Sequence, residues 1–217
     1  MPFDSEAQVP PVREPMFKAP WPALALCVVI IGGYALQGAV GGDAVIARYA
    51  FSPIDLQDGR WPLLFTALFL HGSWPHALMN GAFALAFATP LARFFGLRLR
   101  DGAAFAVFYL ACGALANVGY AVLHAGEHGL LVGASGAVSG LMGAASRLIA
   151  GRGAVGPILS RPVLGMGGAW LAINLLIALF GFAPGAGDAT VAWEAHVAGF
   201  IAGVLLLGPF AAALRRR

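Results

Sequence analysis

The stretch Val132–Gly143 reads "VGASGAVSGLMG", with the pair Ser135-Gly136 repeated one helical turn later as Ser139-Gly140. A run with so little side-chain bulk has two readings. One is a helix pared down so that a neighbour packs directly on its backbone, as small-residue faces do in membranes. The other is a serine nucleophile set among glycines that leave room for a reacting group. The rest of the chain decides between them.

The 217 residues are 59% hydrophobic and only 11% charged, and the mean hydropathy is +0.80. Soluble domains run at about 45–50% apolar and about 25% charged. The 30 glycines and 14 prolines lie inside apolar runs, where membrane helices accommodate them. Six charge-free gaps remain when the charged residues are marked: 19–42, 61–92, 102–126, 128–146, 162–187 and 195–214. Each holds a span of about 20 residues. The expectation is an all-α membrane protein, a six-helix transmembrane bundle over residues 19–214. A disordered cytoplasmic tail is expected at 1–18 and a short basic end at 215–217. The tail is rich in Pro and charge and has no apolar core of a cleavable signal. The sequence holds no internal repeat and no second domain.

The cations orient the bundle. With the N-terminus inside, Arg13, Lys18, Arg93, Arg98, Arg100, Arg147, Arg152, Arg161 and Arg215 to Arg217 face the cytoplasm, and only Arg48 and Arg60 face out. This is the positive-inside pattern, so the net charge of +3 reflects topology and not a nucleic-acid surface. Both termini are expected in the cytoplasm, and the location that fits is a bacterial inner membrane. Cys27 and Cys112 fall within spans and read as inert thiols.

Polar side chains inside spans are costly and mark candidate sites. They are His71, His76, Asn80, Asn117, Ser135, Ser139, Asn174 and His196. Counting up from Arg147, Ser135 lies ~18 Å above the inner boundary of a hydrocarbon layer ~30 Å thick. Asn80 and His76, counted from Arg93, lie at ~20 Å and ~26 Å. Helices two, four and six run in the same direction and bring these groups to similar depth, submerged yet open to the outer side. Gly199 and Gly203 share a helix face with His196, and Gly136-x-x-x-Gly140 forms a second such face. Two glycine faces allow backbones close enough for a Ser and a His to hydrogen-bond.

Three motifs resemble those of the rhomboid family of intramembrane serine proteases. They are "HALMN" at His76–Asn80, "GASG" at Gly133–Gly136 and "AHVAGFIAG" at Ala195–Gly203. Their order, the six predicted spans and a long first outer loop near 38–73 fit as well. The resemblance implies that Ser135 is the nucleophile and His196 its general base, a Ser-His dyad with no acidic member. It further implies an oxyanion hole from His76, Asn80 and the Ser135 backbone N–H. Gly133, Gly136, Gly199 and Gly203 would supply the close helix packing at the site. Glu127, Asp188 and Glu194 fall in outer loops. Only Ser135 has a glycine two residues before it, and Ser139 lies ~6 Å deeper, so Ser135 is the preferred serine.

No cofactor and no metal are expected. The expected partners are transmembrane protein substrates and membrane lipid. In two places the pattern departs from the family's. Arg60 precedes Trp61 where members often carry Trp-Arg. Ser139 stands where many have an aromatic ring stacked on the base, so His196 must be held in another way. A catalytically silent relative that binds transmembrane helices is the alternative. Haem binding or transport fits less well, since His124 and His128 lie in an outer loop and no pair of broken spans suggests a transport site.

Overall fold

A computed structural model describes residues 19–180 and 191–215. The expected tail at 1–18, Asp188 and the last two arginines lie outside the described residues. The helices are α1 (Trp21–Ala39), α2 (Gly42–Tyr49), α3 (Ile54–Gln57), α4 (Leu63–Thr66), α5 (Trp74–Phe95), α6 (Leu99–Leu123), α7 (Ser135–Ala150), α8 (Arg161–Phe180) and α9 (Trp193–Arg215), with a 3-10 turn at Ala67–Phe69. Among the described residues no strand forms, only isolated bridges such as Phe51 with Leu131.

Five helices are long and apolar enough to cross a membrane: α1, α5, α6, α8 and α9. The expected sixth, α7, has 16 residues and so reaches ~24 Å, short of a hydrocarbon layer ~30 Å thick. Its environment accounts for the difference. From Gly136 to Leu148 every residue of α7 is buried, so protein and not lipid surrounds it.

Backbone contact made possible by glycine holds α7 in that position. A Cβ at Gly199 would run into the Gly136 carbonyl oxygen, and one at Gly203 into the Gly140 carbonyl oxygen. On α7 a Cβ at Gly143 would meet the Phe200 carbonyl. The C-terminal end of α7 is tied by Arg147, which sequence reading places among the cytoplasmic-side cations at the boundary of a span. The residue is in fact 8% exposed. Its Nε and Nη2 donate to the Gly156 carbonyl at 2.9 and 2.7 Å, and Nη1 donates to the Val204 carbonyl at 2.8 Å. Carbonyl oxygens supply the partners that a guanidinium taken out of water requires.

The end of the bundle at the start of α7 is built from the α1–α5 connection. Asp55 is buried, accepts the Ser52 N–H at 2.7 Å and pairs with Arg60. The reversed Arg60-Trp61 order therefore still anchors the loop, through a carboxylate. Asn117 of α6 donates to the Leu64 carbonyl at 2.8 Å. Beyond α6, His124 stacks on Tyr120 and reaches Glu127 at 3.1 Å and Glu194 at 3.3 Å. This bridge joins the end of α6 to the first turn of α9. Desolvation works to lower the His124 pKa, but the hydrogen bonds and charges of Glu127 and Glu194 outweigh it and raise the value.

Gly203→Val should sharply lower the melting temperature and the yield of folded protein, because backbone blocks the new side chain. Gly168→Ala, with open space around it, should change stability by less than ~0.5 kcal/mol. The His124 bridge should stabilise the fold fully below the ordinary histidine pKa of about 6.5 and lose that contribution as pH rises through the higher folded value. Melting curves of wild type and His124→Gln in detergent should therefore differ most near pH 5 and converge at alkaline pH.

Candidate active site

Ser135 is the first residue of α7, and Ala134 before it supplies no side-chain cap. The first N–H groups of α7 therefore lack intrahelical partners and carry the positive end of the helix dipole. The preceding turn depends on Gly133. Its φ is +123°, and a Cβ there would lie 2.8 Å from the His76 ring. Its N–H donates to the Ala67 carbonyl at 2.9 Å, and Leu131 exchanges backbone hydrogen bonds with Phe51 at 2.6 and 3.1 Å. Ser135 thus sits at the end of a pinned loop and is half-buried.

His196 enters from the first turns of α9. Its Nε2 lies 2.8 Å from Ser135 Oγ and its Nδ1 lies 2.6 Å from Asn174 Oδ1 of α8. His196 as a whole is 9% exposed. The Trp170 ring lies over it, with centroids 5.6 Å apart and planes tilted by 31°. Trp170 also packs edge-on against Phe83 of α5. The aromatic cover absent at Ser139 comes instead from a different helix.

His76 and Asn80 project from the start of α5, whose first turn is capped by Ser73 Oγ accepting the His76 N–H at 3.2 Å. Asn80 Nδ2 donates to the His76 carbonyl at 3.1 Å, which leaves its second amide hydrogen for the cavity. Behind His76 lies the fully buried His71, rings edge-to-face with centroids 5.0 Å apart. The His71 backbone is clamped by Gln37 through bonds of 2.8 and 3.0 Å, and its Nε2 faces the Ala134 N–H at 3.5 Å. His71 therefore supports the turn that presents Ser135.

These groups line a cavity of about 230 Å³, with Met79, Phe83, Met142 and Ile177 forming much of the apolar wall. Ser139 is 1% exposed and donates to the Ser135 carbonyl at 2.8 Å, the usual habit of a serine inside a helix. Among the described residues no group of three or more His, Cys, Asp or Glu is arranged to hold a metal ion.

The sequence singles out Ser135, His196, His76 and Asn80, and the structure brings all four to one cavity. It names Asn174 only as a polar residue in a span, without a role, and it misses Trp170. The available signal is the spacing Trp170-x-x-x-Asn174, which puts both residues on one face of an otherwise apolar helix.

A family model described as Rhomboid domain matches residues 58–212. No curated protein matches the chain.

Ser139 makes one supporting bond, worth ~1 kcal/mol. A fluorophosphonate probe should therefore label the Ser139→Ala protein at no less than about a fifth to a tenth of the wild-type rate. It should fail on Ser135→Ala. Labelling that survives Ser135→Ala and disappears in Ser139→Ala would move the reactive serine one turn down the helix.

Proposed function

The chain belongs to the rhomboid family, and on that premise we propose that it is an intramembrane serine endopeptidase using Ser135 and His196 as a dyad. It acts on peptide bonds near the outer ends of substrate transmembrane helices. The observation that supports this reading is the 2.8 Å contact between His196 Nε2 and Ser135 Oγ, in a cavity at the start of α7.

The chemistry follows from the groups present. His196 Nε2 takes the Ser135 hydroxyl proton as Oγ bonds to the scissile carbonyl carbon. The carbonyl oxygen becomes an oxyanion, and the N–H groups at the start of α7, with the Asn80 amide and His76 ring, are the donors available to it. The imidazolium then returns its proton to the departing amine nitrogen as the C–N bond breaks. Water attacks the acyl-enzyme by the same route in reverse, with His196 again taking a proton. Ser135 stands half-buried, within reach of water from the outer side.

In this reading α7 is a sixth membrane helix, packed against α5, α6, α8 and α9, and both termini lie in the cytoplasm of a bacterial cell. Substrates are transmembrane segments of other proteins. A regular helix shields its own backbone, so outer ends containing Gly or Pro are the preferred targets.

Incubation with a single-span substrate in detergent or liposomes tests the proposal. Wild type should release two fragments. Ser135→Ala and His196→Ala should each lose essentially all turnover while keeping the wild-type melting temperature, and the double variant should be no worse than either single one. Near-normal turnover in His196→Ala would remove the base from the mechanism. Tight substrate binding by wild type without cleavage would instead indicate a silent relative.

A further inference from the structure

The His196 ring meets a hydrogen-bonding group at both nitrogens, and the second of these belongs to α8. Asn174 is fully buried, and its amide orientation is fixed by its neighbours. Nδ2 lies 2.8 Å from the Trp170 carbonyl oxygen, which can only accept, so the amide nitrogen must face it. That leaves Oδ1 toward His196 Nδ1, at 2.6 Å. An amide oxygen can only accept, so Nδ1 must carry the imidazole proton. In the neutral ring the Nε2 lone pair is then free, and it faces Ser135 Oγ. A base in the opposite tautomer would present N–H to the serine and could not take its proton.

We propose that Asn174 is a positioning residue of the site, setting the tautomer and rotation of His196, so that the working unit is Ser135, His196 and Asn174 with Trp170 over the ring. Imidazole rotation about its two side-chain bonds is restrained by the Asn174 bond on one edge and the Trp170 ring on one face. Both restraints come from one face of α8, in successive turns. Of the twenty residues of α8 only Val163 and Asn174 are buried. A buried amide on a helix otherwise turned outward has no packing role that leucine would not fill better, and its two hydrogen bonds end on Trp170 and the base. This inference rests on the endopeptidase reading for its kinetic consequence, but the tautomer is observable without turnover.

The test compares Asn174→Leu, close in volume but without an acceptor, and Asn174→Asp, which keeps an acceptor oxygen in the same place. In the full-length protein in detergent, ¹⁵N-histidine NMR should report His196 of the wild type as the Nδ1–H tautomer, and Asn174→Leu should lose that signature. The Leu variant should lose about 10- to 100-fold in kcat, less than the ~10²–10⁴-fold a general base supplies, with KM within about threefold. The Asp variant, which keeps the acceptor toward Nδ1 but turns its second oxygen against the Trp170 carbonyl, should recover part of that loss. The proposal is overturned if wild-type His196 is the Nε2–H tautomer. It is also overturned if Asn174→Leu keeps wild-type kcat, or if both variants lose KM and melting temperature together without recovery in Asp. A wild-type protein that neither cleaves nor labels with fluorophosphonate would count against the endopeptidase reading alone, and the spectrum would still decide the tautomer. If Asn174→Leu does not fold, the wild-type spectrum and the Asp variant carry the decision.

Discussion

The site depends on the approach of α7 and α9 to backbone distance. Gly136 and Gly140 on one helix and Gly199 and Gly203 on the other leave no side chain between them, and His196 follows the same face of α9. The hydrogen bond from Ser135 Oγ to His196 Nε2 at 2.8 Å requires that approach, because neither side chain is long. Moving the helices apart by one methyl group at Gly199 would lengthen a contact whose strength falls steeply with distance. Packing and candidate chemistry are therefore set by the same glycines. The Arg147 fork to Gly156 and Val204 fixes the other end of the pair, so the helices neither slide nor splay.

Much of this was legible in the sequence, because membrane spans use few residue types and each departure stands out. A histidine or serine among leucines and alanines costs free energy. Glycines at four-residue spacing have little purpose in a span beyond close packing. The residues that escaped are those whose meaning depends on which helix lies opposite. Asn174 is the same amide whether it faces lipid headgroups, a carbonyl or an imidazole, and only the packing of α8 against α9 distinguishes these. Trp170 looks like any interfacial aromatic until the His196 ring is found beneath it. Arg147 shows the reverse problem. A cation at the end of a span reads as a loop charge, but here the chain folds carbonyl oxygens around it. The short helices α2, α3 and α4 were invisible to periodicity because four to eight residues hold too few turns to show a repeat.

The sequence also leaves open how His196 would work as a base, as proposed, without an acidic partner. Two carboxylates lie close by, and both are engaged elsewhere. Glu127 and Glu194 face His124 at the rim of the bundle, where water can solvate them. Deeper in, a carboxylate against His196 would need desolvation, and a lone charge at the centre of a span costs ~2.5–3.5 kcal/mol even on insertion scales. An amide avoids that cost. Asn174 offers one acceptor oxygen to the imidazole and discharges its nitrogen on a carbonyl of its own helix, so no buried polar atom of that side chain is left unpaired. The compromise is a weaker hold on the imidazolium that forms when the serine proton is taken, since a neutral oxygen stabilises positive charge less than an ionised one. The same low dielectric that disfavours a carboxylate strengthens the bond an amide makes. A neutral orienting group on the least buried of the long helices thus suits the base that the proposed mechanism places in this cavity.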